Sequence, residues 1–287
     1  MKYRIAIVLF TLGLLAGCTG PKEDGRLPVG LQLYSVRDEL RRDFRGTLGR
    51  VRDMGYEGVE FFDEFAGNTP EQVRAICDSL GLTIFSNHFP YQRAVQDFDG
   101  VVRDSRILGL QYITIPSMPA RPGADPARFE ACVTALGECA QKARAAGFPL
   151  LYHNHDFEFG LLPDGTPGYG RIFPEDVSDG VQAELDVCWA DYAGFDVPEL
   201  LRRYAGRVPV LHIKDYSRTE EGAGGRRVDF RPLGAGGMDL PAVLAAAREA
   251  GVAWLCVEQD NPAIGESDCF AGPAESIRYL RAQGAVK

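Results

Sequence analysis

The chain has 287 residues, of which 45% are hydrophobic, and its formal net charge at pH 7 is −9. This length is enough for one large hydrophobic core, and it excludes a peptide-sized domain that would need cross-links to fold. The acidic balance disfavours polyanionic ligands, so we expect no nucleic-acid partner.

The first residues are typical of an exported chain. Lys2 and Arg4 precede an apolar run, Ile5–Ala16, which is too short for the roughly 20 residues that span a bilayer. The run ends in Leu15-Ala16-Gly17-Cys18, a pattern that resembles the bacterial lipobox, in which the cysteine becomes the lipidated N-terminus. We therefore predict that the protein lies outside the cytoplasm, anchored by lipid to the periplasmic face or the outer membrane.

On this interpretation residues 1–17 are a lipoprotein signal peptide, and residues 18–29 comprise the lipidated Cys18 and a flexible tether. Removing the signal peptide, with its Lys2 and Arg4, leaves 29 basic and 40 acidic side chains, a net charge of −11. The other six cysteines form no CxxC pair and no metal-type spacing, so we expect small buried side chains. They are Cys77, Cys132, Cys139, Cys188, Cys256 and Cys269.

Short apolar runs alternate with helical patterns through the rest of the chain. Such runs, mostly flanked by glycine or proline, are typical of buried parallel strands. The eight runs are Gly30–Tyr34, Gly58–Phe62, Thr83–Ser86, Tyr112–Ile115, Leu150–His153, Gln182–Val187, Val210–Ile213 and Trp254–Val257.

Helix boundary signals lie between these runs. A capping residue followed by proline, with glycine after the last turn, predicts where a helix begins and ends. The predicted helices include 69–81, 125–147, 240–251 and 273–284. Eight strand-then-helix units predict an α/β fold, a single (β/α)8 TIM barrel over residues 30–287. A doubly wound open sheet is the alternative, but no GxGxxG follows the first strand.

Ionisable side chains cluster where the predicted strands end. The carboxyl ends of barrel strands meet in one mouth, where acids and imidazoles need a cation, a substrate or each other for stabilisation. Aspartate, glutamate and histidine together suit one divalent ion, which we expect to be Mn²⁺, Co²⁺, Mg²⁺ or Zn²⁺. The residues are Glu60, His88, His153, His155, Glu158, Glu184, Asp186, His212, Lys214, Asp215 and Glu258.

Several segments resemble the sugar phosphate isomerase/epimerase family, which has a xylose-isomerase-like barrel. They are LQLYSVRD, GYEGVEFF, YHNHDFEF, ELDVCWAD, LHIKD, FRPLGAGGMD and VEQD, spread over residues 30–284. In ketose 3-epimerases of this family, a metal is held by Glu, Asp, His and Glu from strands five to eight. The resemblance implies that Asp186, His212 and Glu258 are metal ligands here.

The ligand from the fifth strand departs from the family pattern. The family glutamate belongs near position 152 or 153, where this chain has Tyr152 and His153. His153, His155 and Glu158 are the alternatives, and we favour Glu158 because it preserves three carboxylates and one imidazole.

A metal bound by carboxylates and one imidazole can chelate a sugar carbonyl and a neighbouring hydroxyl, and it would stabilise the enediolate that forms when the α-proton leaves. We expect Glu258 or Glu158 to be the base, with Lys214 and His88 as donors to substrate oxygens.

Substrate contacts are expected from three further residues, Glu60, His153 and His155. The segment Gly234–Gly237 is expected to form a loop over the site.

Reprotonation of the enediolate gives epimerisation or isomerisation, whereas loss of a β group gives elimination, such as cleavage of a 3-keto-glycoside. An exported protein rarely meets phosphorylated sugars, so we expect a non-phosphorylated sugar or keto-glycoside as substrate. A metal-dependent apurinic endonuclease and a non-catalytic sugar-binding lipoprotein are the alternatives. The endonuclease would need more histidines and a more basic surface than this chain has. Loss of the catalytic base would favour the sugar-binding protein.

Overall fold

The computed structural model describes residues 25–177, 180–222, 225–261 and 268–287. Eight parallel strands form a closed barrel, as the alternating apolar runs predict. In chain order these strands are β1 (Val29–Gln32), β2 (Gly58–Phe61), β3 (Thr83–His88), β4 (Tyr112–Ile115), β5 (Leu150–His153), β6 (Gln182–Asp186), β7 (Val210–Ile213) and β10 (Trp254–Val257). The barrel closes at β1, where Gly30 pairs with Gly58 of β2 on one side and with Cys256 of β10 on the other.

Helices connect the strands and cover the outside of the barrel. They are α1 (Arg37–Arg42), α2 (Phe44–Met54), α3 (Pro70–Leu80), α4 (Tyr91–Gln96), α5 (Phe98–Leu108), α6 (Pro126–Ala145), α7 (Gly168–Ile172), α8 (Val187–Tyr192), α9 (Val197–Arg203), α10 (Leu240–Ala250) and α11 (Ala271–Ala282). Short 3-10 helices follow β1 at Leu33–Val36 and β5 at Phe157–Phe159.

The boundary signals act as predicted. At α3, Thr69 and Gln72 form a reciprocal capping box, and Gly81 ends the helix in the left-handed conformation with φ 69°. Asp125 caps α6 and Asp239 caps α10. The last helix begins at Ala271, two residues before its predicted start.

The floor of the barrel is filled by two stacked aromatic rings. Phe85 and Trp254 lie 4.6 Å apart between ring centroids at an interplanar angle of 13°. Gly30 and Gly58 make room for them, since a Cβ on Gly30 would lie 2.2 Å from the Phe85 ring and one on Gly58 would lie 3.0 Å from Trp254. This plug closes the amino-terminal end, so ligands enter from the opposite end, where the polar residues are.

A β-hairpin follows β7, and the sequence patterns did not predict it. Strands β8 (Asp215–Gly222) and β9 (Gly225–Arg231) pair antiparallel outside the barrel. Tyr216 and Phe230 of the hairpin are buried and pack with Cys188 and Trp189 of α8. The hairpin therefore covers α8, which carries one wall of the barrel mouth.

Two predictions concern the amino-terminal region. The barrel begins slightly earlier than expected, because β1 starts at Val29 and Leu27, assigned to the tether, is buried and donates its backbone N–H to Ala285. The predicted signal peptide and Cys18 lie outside the described residues. Within the described part of the chain, no helix combines the length and the apolar composition needed to cross a membrane.

Candidate metal centre and active site

The ionisable residues at the mouth of the barrel form two layers. The lower layer contains Glu60 of β2, His88 of β3, Glu184 of β6 and His212 of β7. His88 Nε2 lies 2.8 Å from Glu60 Oε1 and 2.6 Å from Glu184 Oε1. His212 Nε2 lies 2.9 Å from each of the same two oxygens. Two carboxylates and two imidazoles therefore alternate in one buried square.

The charges of the lower layer compensate one another. Burial alone raises the pKa of Glu60, but His88 and His212 more than reverse this and lower it. Burial also opposes charge on His88, yet Glu60 and Glu184 raise its pKa to about 10. Gln32 donates to Glu60 at 2.8 Å and Thr114 donates to Glu184 at 3.0 Å.

The upper layer is more acidic. Lys214 Nζ lies 2.8 Å from Asp186 Oδ2, 2.7 Å from Glu258 Oε2 and 3.2 Å from Asp260 Oδ1. Lys214 is 1% exposed, and although burial lowers its pKa, the three carboxylates raise it well above the ordinary value. One ammonium group faces three carboxylates here, so the layer has an excess of negative charge.

His153 of β5 completes the upper layer as a neutral imidazole. Burial, followed by the proximity of His212, lowers its pKa well below the ordinary value. Its Nε2 lies 3.8 Å from Asp186 Oδ2, and its Nδ1 lies 3.3 Å from Glu184 Oε1. A neutral imidazole is the protonation state that binds metals, so His153 is suited to be a ligand.

Two overlapping sets of four described residues could hold a divalent ion. One is His88, His153, Glu184 and His212, and the other, which borders the cavity mouth, is His153, Asp186, His212 and Glu258. One ligand atom from each of His153, Asp186, His212 and Glu258 lies within 4.8 Å of the others, and all four side chains are buried. Ligands opposite each other on an ion, with bonds of about 2.0–2.2 Å, lie up to about 4.4 Å apart, so only small adjustments are needed. Two imidazoles and two carboxylates suit Zn²⁺, Mn²⁺ or Co²⁺ and leave open positions for a substrate.

Of the predicted ligands, Glu158 is not part of this set. The 3-10 helix at Phe157–Phe159 turns its carboxylate inward, where Oε1 accepts from Tyr152 Oη at 2.6 Å and Oε2 accepts from the His155 backbone N–H at 2.8 Å. Burial raises the pKa of Glu158 to about 7. Both of its oxygens are bonded away from the other candidate ligands, and His153, the alternative from strand five, takes its place in the set. Glu158 is also not among the described residues that line the cavity.

Asp186 and His155 are positioned by their neighbours. Asp186 Oδ1 accepts from the Trp189 backbone N–H at the start of α8, and the Asn154 side chain bonds to the Asp186 backbone. The backbone of His155 is held by Glu158, and burial lowers the pKa of its imidazole to about 4. His155 is thus neutral, with a buried Nδ1 that has no hydrogen-bond partner.

A cavity of about 710 Å³ opens above the upper layer. His153, His155 and Glu258 line its inner end. Its wall includes aromatic, polar and acidic side chains, and none of its described lining residues is Lys or Arg. The lining residues are Tyr34, Phe62, His88, Pro90, Tyr91, Gln92, Pro116, Ser117, Met118, Pro119, His153, His155, Trp189, Glu258, Asp260 and Asn261.

Three other predicted residues differ in their access to the cavity. Glu60 is fully buried in the lower layer and is not among the described residues that line the cavity, so it lacks the access that a direct substrate contact needs. Lys214 is also outside the lining, under Glu258, and it pairs with acids of the upper layer. His88 reaches the wall, but its Nε2 is bonded to the acids of the lower layer.

Asp215 has a structural role in the loop that follows the hairpin. Its carboxylate accepts the backbone N–H groups of Gly234, Gly236 and Met238. This places the glycine-rich segment against the start of the hairpin. The described residues of the segment are not among those that line the cavity, in contrast to the prediction of a loop over the site.

Sequence reasoning missed Asp260. It follows the predicted eighth strand by three residues. Burial raises its pKa to about 7, because the opposing effect of Lys214 is offset by the nearby Glu258 and Asp186 carboxylates. Asp260 lines the cavity, so its carboxyl group borders the space that a ligand would occupy. The motif VEQD contained this aspartate, but nothing in its spacing distinguished it from a loop residue.

Comparisons with known proteins identify the family of the barrel. The profile of the family described as "Xylose isomerase-like TIM barrel" matches residues 48–283. The inosose dehydratase of Geobacillus kaustophilus (strain HTA426) is 23% identical over 263 residues, which cover 80% of this chain and 84% of that protein.

Solved structures share the fold. A sugar phosphate isomerase/epimerase from Parabacteroides distasonis ATCC 8503 superposes with a TM-score of 0.76 at 24% identity, over 91% of this chain and 96% of that one. The 3-keto-D-glucoside 4-epimerase YcjR from E. coli gives 0.66 at 16% identity, over 90% and 100%. A Mycobacterium smegmatis barrel protein in complex with magnesium gives 0.65 at 18%, over 92% and 98%. The chain belongs to the xylose isomerase-like TIM barrel family.

Proposed function

We propose that this protein is a metal-dependent sugar isomerase or epimerase that removes a proton α to the carbonyl of a non-phosphorylated sugar. The observation that carries the proposal is the set His153, Asp186, His212 and Glu258, which borders the inner end of the cavity. The magnesium complex of the Mycobacterium smegmatis protein and the activities named for the structural neighbours support it.

A divalent ion in this set would polarise a carbonyl oxygen and stabilise the negative charge that develops when the α-proton leaves. The chain supplies the groups that move the proton. Glu258 lines the cavity as a carboxylate, because burial is outweighed by Lys214 and His212, which lower its pKa well below the ordinary value. Asp260 and His155 lie on the same wall and can take or return a proton.

The cavity wall supports a substrate without phosphate. Phosphate recognition ordinarily uses Arg, Lys or a helix N-terminus rich in backbone N–H groups. The described lining contains no Arg or Lys, and the Glu258 carboxylate adds negative charge that would repel a phosphate.

Elimination is a second candidate with the same first step. Asp260, with a pKa of about 7, is partly protonated at neutral pH and can donate a proton to a departing β oxygen. As a lyase, this protein would cleave a 3-keto-glycoside or dehydrate a keto-sugar. The similarity to the inosose dehydratase of Geobacillus kaustophilus supports this second candidate.

The test is solvent deuterium incorporation with metal-loaded protein and a panel of unphosphorylated sugars and 3-keto-glycosides. Deuterium at the α-carbon of recovered substrate or isomer supports the isomerase, and a dehydrated or cleaved product supports the lyase. Glu258→Gln should reduce turnover by several powers of ten, and each tenfold loss corresponds to about 1.36 kcal/mol less stabilisation of the transition state.

Asp78→Asn is the matched control. Asp78 is exposed on α3 and pairs with Arg74 at 2.8 Å, a surface contact worth little. Its turnover should equal that of the unchanged protein. Metal binding without exchange, isotope effect or product for any sugar in the panel would favour a sugar-binding protein without activity.

We further propose that the protein acts outside the cytoplasm, attached to a bacterial membrane by lipid on Cys18. The support is the Lys2–Cys18 segment, whose charge, apolar run and final cysteine have the order of a lipoprotein signal peptide. Cys18→Ala should abolish labelling by a fatty acid and release the protein from the membrane fraction. Unchanged membrane association in that variant would refute the anchor.

A further inference from the structure

The cavity is larger than one sugar ring requires. Its volume of about 710 Å³ corresponds to about 24 waters at about 30 Å³ each, whereas a hexose has about a dozen non-hydrogen atoms. Loops that follow seven of the eight barrel strands contribute to its wall. A ring held at His153 and Glu258 therefore leaves the outer part of the cavity free for a second group.

Tyr34 marks this outer part. It is 39% exposed, and of the four large hydrophobic side chains that are exposed in the described residues, it is the one that lines the cavity. The others, Val95, Leu161 and Val177, lie elsewhere on the surface. A ligand that covers an exposed aromatic ring in a cavity removes its apolar surface from water, which favours binding.

The Tyr34 ring is held in place from several sides. Its backbone N–H donates to Gln32 Oε1 at 3.1 Å, and its carbonyl accepts from Arg37 Nη1 at 2.9 Å. The Arg37 guanidinium lies 4.1 Å from the ring centroid, and Phe62 meets the ring edge-on at 5.6 Å and 88°. A ring fixed before binding loses little entropy when a ligand stacks on it.

Arg37 also links this ring to the catalytic wall. It donates to the Asp260 backbone carbonyl at 2.7 Å and to Asn261 Oδ1 at 3.2 Å. The aromatic ring and the acidic group of the inner site are thus built on one connected unit. Gln92 and Asn261 also line the cavity, where their amide groups can meet hydroxyl groups.

From these observations we propose that Tyr34 is the stacking platform of an outer subsite that binds a second sugar ring, so that the substrate is a disaccharide or other hexosyl glycoside. The assignment rests on the proposed function for the inner ring. A sugar has apolar C–H faces for the Tyr34 ring and hydroxyl edges for the amides, whereas a purely apolar aglycone would leave the amides without partners.

The test compares matched ligands that share the inner ring. Metal-loaded protein is titrated with glucose, methyl glucoside, maltose, cellobiose and trehalose, and Kd is measured by calorimetry. The 3-keto forms of the same sugars are assayed for KM. We expect at least one disaccharide to bind about tenfold more tightly than its monosaccharide, equivalent to 1.4 kcal/mol.

The variants identify the ring responsible. Tyr34→Ala should reduce the tenfold preference to about twofold or less and leave monosaccharide affinity unchanged, while Tyr34→Phe should keep the preference because it keeps the ring. Leu161→Ala, an exposed apolar residue outside the cavity, should behave as the unchanged protein.

Three results would overturn the subsite. They are equal affinity for every monosaccharide and disaccharide pair, equal weakening of both by Tyr34→Ala, and tighter binding of phenyl glucoside than of any disaccharide. Failure of the proposed reaction is a separate result. In that case the disaccharide preference and its loss in Tyr34→Ala persist, but no sugar incorporates deuterium or yields product.

Discussion

Replacing Lys214 with methionine removes the single ammonium group of the upper layer and keeps an unbranched chain of similar size. Lys214 faces Asp186, Glu258 and Asp260 at 2.7–3.2 Å, with Asp186 fully buried. Without the lysine, three carboxylates share a buried space, and the nearest remaining cation is His212 of the lower layer, 2.8 Å from Glu258. They must either become protonated or repel one another.

The size of the effect follows from the burial of the lysine. Breaking a buried ion pair by removing one partner costs about 3–5 kcal/mol, since the remaining charge loses its compensation. For a chain of this size, about 2–4 °C of Tm corresponds to each kcal/mol, so we expect a loss of about 6–20 °C in chelator.

A divalent ion should compensate for the missing charge. In the unchanged protein the ion competes with the Lys214 ammonium for Asp186 and Glu258, and in the variant this competitor is absent. The ion should therefore bind Lys214→Met more tightly and raise its Tm further than that of the unchanged protein. Binding at 100 times Kd adds about 2.7 kcal/mol of stability.

The assay is differential scanning calorimetry of both proteins in chelator and in graded Mn²⁺. Lys142→Met is the control, because Lys142 is exposed on α6 and its replacement should change stability by about 0.5 kcal/mol or less. Equal Tm values for Lys214→Met and the unchanged protein in chelator, or equal increases with Mn²⁺, would refute the charge argument.

Three further predictions follow from the site and its supports. Burial raises the pKa of Glu158 from its ordinary 4.5 to about 7, so between these pH values the folded chain keeps a proton that the unfolded chain releases. The free energy of unfolding should therefore fall by about 3 kcal/mol as the pH rises from 4.5 to 8. Glu158→Gln should remove this fall, as measured by denaturant titrations across that pH range. Both ring nitrogens of His212 face carboxylates within 2.9 Å, so metal binding to this imidazole should release about one proton at pH 7. Calorimetry in buffers of different ionisation enthalpy measures this release, and its absence would contradict His212 as a metal ligand. Gly236→Ala should cost about 1–3 kcal/mol in denaturant unfolding, because its Cβ would lie 2.1 Å from Asp215 Oδ1, whereas Gly237→Ala, whose nearest neighbour would be 3.8 Å away, should cost much less.

The strands of the barrel were predictable from local pattern. Buried parallel strands are continuous apolar runs, which can be read from the sequence directly. The helix ends are also local signals, such as Gly81, which ends α3 in the left-handed conformation that glycine adopts most easily. All eight predicted runs overlap the observed strands, with shifts of one or two residues at their ends. The family resemblance and the three shared metal-ligand candidates also came from short local segments.

The β-hairpin was not predictable in the same way. Residues 215–231 are rich in charge and glycine, with no clean alternation of apolar and polar side chains. Tyr216 and Phe230 are buried only because they pack on Cys188 and Trp189 of α8, which lie far away in sequence. Such a strand pair is stabilised by a surface that the sequence does not place beside it.

The roles of the ionisable residues were decided by tertiary structure. Sequence placed Glu158 and His153 at the end of the fifth strand and favoured Glu158 as the ligand from charge balance alone. The direction of the Glu158 carboxylate depends on Tyr152 and on a single 3-10 turn, and this leaves His153 facing Asp186. Apolar periodicity determines which segments become strands, but barrel closure determines which side chains from distant strands meet, and that proximity sets their charges and their chemistry.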